Sequence, residues 1–114
     1  MLRYRDLSNS EKKDITNGCG GKGGIINPPE FLFNASCNQH DFYYWRGGNW
    51  IDRLKADWGF YLEMLKDISL ATKWYQILRK ILYIFIATIY FFAVRLIGWK
   101  FFEYRDKMKT KKDL

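Results

Sequence analysis

The stretch Ile81–Val94 most narrows what this chain can become. It runs for 14 positions without a charged side chain. With Arg95 as its one charge it continues apolar to Trp99, 19 residues in all. Nineteen helical residues reach about 28 Å, close to one hydrocarbon thickness. The spacing predicts a long helix from about Thr72 to Lys107, ahead of a basic tail, Arg105–Lys112, expected to fray. Three placements fit such a helix: across a bilayer, in its interface, or as the core helix of the domain. A thin polar stripe (Gln76, Lys80, Tyr83, Tyr90) marks one side. Arg95 lies near one end, where a long cation can snorkel to water. Tyr83, Tyr90 and Trp99 suit an interface.

Charge placement points the same way. Residues 1–71 hold nine Lys/Arg and nine Asp/Glu, and residues 72–114 hold ten against three, which is the whole net charge of +7. A neutral body with a cationic, apolar tail suits an anionic phospholipid membrane better than nucleic acid. Length suggests one modest core, divided into a unit over 1–71 and a membrane-associated segment over 72–114. The N-terminus, Met-Leu-Arg-Tyr-Arg-Asp, shows no signal peptide. Membrane association is therefore expected, with secreted and transmembrane forms both open.

Asn17–Gly24 carries five glycines in eight positions, so it reads as a sharply bending loop. Residues 1–16 read as polar and irregular, with a short helix over Ser10–Ile15. A helix is predicted from about Ala35 to Trp45, with Asn34 or Ser36 as cap and Gly47-Gly48 as stop. Asn49 caps the next, from about Trp50 to Ile68, whose apolar positions Ile51, Leu54, Trp58, Tyr61, Leu62 and Leu65 fall at helical spacing. A turn that short makes the two helices antiparallel. The fold class expected is all-α.

Within the first of these helices stands Cys37-Asn38-Gln39-His40-Asp41, with the chain's one histidine. Cys37 and Asp41, at i and i+4, share a face. A Cys19–Cys37 bridge, if formed, pins the glycine loop near Asp41, where loop carbonyls and one carboxylate can gather a hard cation such as Ca²⁺. His40 beside that ion can take a proton from water if its other nitrogen is held by an acceptor. Asp57 is the best candidate, because it lies about as far beyond the Gly47-Gly48 turn as His40 lies before it. These parts suit ester hydrolysis without a covalent intermediate.

Asn-Gly-Cys-Gly (17–20), the glycines to Gly24, Cys-Asn-Gln-His-Asp (37–41), Tyr44 and Asp57-Trp-Gly-Phe60 together resemble the phospholipase A2 family, most closely its group XII secreted type. The resemblance covers about residues 15–66. It implies a pair of antiparallel helices with a Gly-rich calcium loop. It further implies that His40 is the general base, Asp57 its orienting acid, and Tyr44 a hydrogen-bond partner of Asp57. The calcium ligands would be Asp41 with carbonyls near Gly18, Gly20 and Lys22. Ser36 and Tyr43 stand where that family usually has cysteines, so Cys19–Cys37 is the one bridge left. The loop is also one residue longer than usual.

Plainer readings stand beside these. A lone histidine is more often structural, and Tyr44 fits simple core packing. Cys19, Cys37, His40 and Asp41 can be written as a zinc site, although they lack a paired-ligand knuckle. Arg46, Arg53 and Lys55 read as solvated. The alternatives to a phospholipase are a non-catalytic membrane-binding or membrane-disrupting protein and a small zinc-stabilised module.

Overall fold

The computed structural model describes residues 1–16 and 33–113. Four α-helices follow in order: α1 (Asn9–Ile15), α2 (Asn34–Arg46), α3 (Trp50–Ala71) and α4 (Ile77–Ile97). Among the described residues the remaining regular structure is three single turns of 3-10 helix and one isolated bridge between Gly48 and Tyr104. The all-α expectation holds. The predicted loop over Asn17–Gly24, and with it Gly18, Cys19, Gly20 and Lys22, lies outside the described residues.

Local chemistry explains the boundaries. Ser8 and Glu11 form a capping box that starts α1. Gly47 (φ 75°) and Gly48 (φ 138°) take the left-handed conformations that reverse the chain after α2. The Asn49 side chain accepts from the Ile51 and Asp52 amides at 3.0 Å each, and Asp52 accepts from the Asn49 amide at 3.0 Å. That box launches α3 immediately. α2 and α3 are antiparallel: His40 meets Asp57, and Ser36, one turn earlier, donates to Asp67. α3 and α4 are antiparallel too, with Arg53 at Arg95 and Tyr61 at Thr88. One core, built on Phe33, Cys37, Phe60, Met64, Ile68 and Ala87, is shared by all three long helices. A second cluster sets Leu2 and Leu7 on Phe42, so the N-terminal residues cover the outer side of α2.

The faces of α3 and α4 reverse the usual pattern. The buried residues of α3 are Arg53, Ala56, Asp57, Phe60, Met64 and Ile68. Of the apolar stripe that periodicity marks, Ile51, Leu54, Trp58 and Leu62 are exposed, while Tyr61 and Leu65 pack against the core. On α4 the residues packed inward are Tyr83, Ile86, Ala87, Tyr90 and Val94, which include the tyrosines of the polar stripe. Ile81, Leu82, Phe85, Ile89, Phe92 and Leu96 face out. A periodic stripe reports which face is apolar; it does not report whether protein or another apolar phase covers it. The helix is long and apolar enough to span a membrane, with a mean hydropathy of 2.1, and only 11% of its most apolar window is buried. One face of it packs on the core and most of its length is exposed.

α4 is shorter than predicted at both ends. A turn at Lys73–Gln76 precedes it, closed by the Lys73 amide on the Gln76 side chain at 2.9 Å. It stops at Ile97 because the chain must turn back to bury Phe102 against Tyr44 and Ala56. The basic tail does not fray as expected. The Arg105 amide donates to the Gly48 carbonyl at 2.8 Å, the Lys109 amide donates to the Arg46 carbonyl at 2.8 Å, and the Lys109 ammonium sits 4.7 Å over the Trp45 ring. The tail clasps the α2–α3 turn.

Candidate active site

α2 contributes His40 and Tyr44, one helical turn apart and so on one face. α3 contributes Asp57 at the same level. His40 Nε2 lies 2.8 Å from Asp57 Oδ1, and the Tyr44 hydroxyl donates to that same oxygen. Asp57 is fully buried, and His40 and Tyr44 are 6% exposed or less. The imidazole is gripped between two rings: Tyr44 at 4.1 Å and Phe60, stacked, at 4.5 Å between centroids. With Asp57 as acceptor, Nε2 carries the hydrogen and Nδ1 keeps a lone pair. His40 also lines a cavity of about 80 Å³ between α2 and α3, together with Ser36, Gln39, Tyr43, Gly59, Phe60 and Glu63. That is room for water and for a small polar group such as an ester.

Thus three sequence-predicted residues, His40, Asp57 and Tyr44, come together. Asp41 follows His40 on α2 and is half-buried; its charge is felt at Tyr4, whose hydroxyl is pushed up first by burial and then by that charge. Among the described residues no three of His, Cys, Asp and Glu converge on one point. One carboxylate plus backbone carbonyls suits a hard cation such as calcium. The carbonyls proposed for it (Gly18, Gly20, Lys22) and the Cys19 half of the proposed bridge fall outside the described residues.

The remaining parts of the site were not predicted. Arg95, read from the sequence as snorkelling, donates from its terminal nitrogen to Asp57 Oδ2 at 2.7 Å. Arg53, read as solvated, is buried; its Nε lies 3.8 Å from Asp57 Oδ2 and it donates to the Val94 and Arg95 carbonyls at 3.0 and 2.7 Å. Arg46 is buried as well, donating to the Leu2 carbonyl at 3.0 Å. Lys55 is exposed, as expected. A lone charge in an apolar run does signal a partner; which partner depends on how α4 is set against α3.

Gly98 supports the site by being small. A Cβ there would overlap the Tyr44 hydroxyl. Gly98→Ala is expected to push Tyr44 off Asp57, at about 1–3 kcal/mol of stability. A Gly98→Ala/Tyr44→Phe double variant, which removes the clashing oxygen, recovers part of that loss in chemical denaturation.

Burial is the larger influence on His40 and lowers its proton affinity below the ordinary 6.5, against the opposing pull of Asp57. Between the lowered folded value and 6.5 the unfolded chain holds a proton that the folded chain lacks. Melting temperature is therefore expected to drop as pH falls through 6.5, levelling off below the folded value. His40→Gln flattens that part of the profile.

Comparison with protein-family models, with curated proteins and with solved structures finds no match for this chain, so its functional reading rests on the buried His40–Asp57–Tyr44 constellation and the apolar surface beside it.

Proposed function

We propose that the chain is a calcium-dependent, phospholipase A2-like ester hydrolase that works at a phospholipid membrane. It would cleave the sn-2 acyl ester of a glycerophospholipid, releasing a fatty acid and a lysophospholipid. The observation that carries this reading is the 2.8 Å contact from His40 to a fully buried Asp57, on an imidazole that also lines a cavity of about 80 Å³.

In this reading each contact has a role. Asp57 holds the Nε2 hydrogen and so selects the tautomer with a basic Nδ1. Tyr44 fixes the Asp57 oxygen that faces His40. Tyr44 and Phe60 keep the ring from turning and exclude bulk water from its faces. Nδ1 takes a proton from a water in the cavity while that water's oxygen attacks the ester carbonyl carbon. The imidazolium then returns the proton to the departing glycerol oxygen as the acyl C–O bond breaks. Calcium, when held by Asp41 and loop carbonyls, would polarise the ester carbonyl and stabilise the developing oxyanion.

The cavity is too small for acyl chains, and the outward apolar faces of α3 and α4 offer a surface continuous with lipid. Trp58 touches Phe91 at 5.9 Å between centroids, which joins the two faces. Exposed Trp74 and Tyr75 before α4 and Trp99 after it suit the two margins of an apolar layer. That same surface favours a second reading, a membrane-binding or membrane-disrupting protein without chemistry. One experiment separates them: fatty-acid release from phosphatidylglycerol-containing vesicles, with calcium or with chelator. Calcium-dependent release supports the hydrolase. Vesicle leakage with no fatty acid, indifferent to chelator, supports the second reading.

A further inference from the structure

We propose that Arg95 is a positioning residue for the His40–Asp57 pair, which makes α4 a support of the hydrolytic dyad and not a separable anchor. This rests on the hydrolase reading above.

Asp57 has two oxygens with divided duties. Oδ1 accepts from His40 and from Tyr44. Oδ2 accepts from Arg95 at 2.7 Å. Arg53, the nearer cation in sequence, is not a substitute. Its Nε stays 3.8 Å from Oδ2, and its terminal nitrogen is committed to the carbonyls of Val94 and Arg95. The two arginines therefore cross. Arg53 of α3 binds the Val94 and Arg95 carbonyls in the last turn of α4, and Arg95 of that turn reaches back to Asp57 of α3. A carboxylate pinned at one oxygen cannot rotate about its Cβ–Cγ bond without breaking a charge-assisted hydrogen bond. Arg95 thereby holds Oδ1 on His40. A group shifted by about 1 Å can cost about 100-fold in rate, so a contact this close to the dyad has leverage on turnover while leaving lipid contact alone. Arg95 is 30% exposed as a side chain.

The test uses the full chain in nanodiscs of phosphatidylcholine and phosphatidylglycerol with calcium. Two readouts are taken: steady-state hydrolysis, and the imidazole N–H signal in ¹⁵N NMR, unambiguous because His40 is the one histidine. Arg95→Met is expected to lower kcat about 10- to 100-fold, to leave KM within about twofold because uniform substrate binding is untouched, and to broaden the Nε2–H signal by faster exchange. Arg95→Lys keeps the charge without the fork and restores part of both. The proposal is overturned if Arg95→Met keeps kcat within about twofold of the parent, or lowers it with the Nε2–H signal unchanged. Should Arg95→Met fail to fold, Arg95→Lys carries the test alone: an unshifted N–H signal with unchanged kcat overturns the proposal. Should the parent protein release no fatty acid, the hydrolase reading fails, and the N–H signal alone decides whether Arg95 positions Asp57.

Discussion

His40→Gln is expected to reduce calcium-dependent fatty-acid release by about 100- to 10,000-fold, the range supplied by general-base catalysis. Glutamine is a demanding control because it preserves so much. Its side-chain amide can donate to Asp57 Oδ1 as Nε2 does now, at 2.8 Å. It fits between Tyr44 and Phe60 without opening a large void. What it lacks is a basic nitrogen. Thermal melting near neutral pH should therefore move little, and vesicle binding should stay as in the parent, since neither apolar face includes position 40. Full calcium-dependent turnover by a folded His40→Gln protein would falsify the assignment of His40 as base. The same variant separates chemistry from lysis, because membrane disruption driven by α3 and α4 survives it.

Asp57→Ala carries the largest expected cost in stability, about 3–5 kcal/mol, the range for removing one partner of a buried ion pair. Three donors lose their acceptor at once: His40, Tyr44 and Arg95. Water can reach part of Arg95, which is 30% exposed as a side chain, but hardly any of the rest. That places the loss toward the lower end of the range. Asp57→Asn keeps an acceptor for His40 and is expected to lose clearly less stability, while still giving up most turnover through the lost charge. Denaturant midpoints of the two variants in the same lipid test the order. Equal stabilities would mean that the acceptor kept by asparagine contributes nothing and that the lost charge accounts for the whole effect.

Part of this was legible in the chain order. Gly47-Gly48 and the Asn49 cap dictate an immediate reversal, and two helices leaving one turn pair their residues by distance from it. His40 and Asp57 stand at matched distances, so their meeting needed only that arithmetic. Tyr44, four residues past His40, had to share its face. The helical content and the end of α2 followed from the same local rules.

Elsewhere periodicity misdirected the reading. In the stripe of α3 only Tyr61 and Leu65 meet the core; Ile51, Leu54, Trp58 and Leu62 face away from the protein, and Arg53 and Asp57 lie inside. Burying charge becomes acceptable once Arg95 and Asp57 meet, and that meeting is a long-range fact. Gly98 carried no local signal at all. Its smallness matters because Tyr44, 54 positions earlier, comes to rest against it. The tail looked solvated by composition, but its backbone finds partners at Arg46 and Gly48.

By itself, then, the order of residues decided the helices, their caps and which side chains can be neighbours within one turn or across one tight reversal, because those depend on interactions a few residues long. Which face of α3 and α4 turned inward, and that Arg95 rather than Arg53 would hold Asp57, was decided only in three dimensions. The reason is that apolar stripes fit lipid and protein interior equally well, whereas a buried carboxylate accepts only the arrangement that brings it a cation.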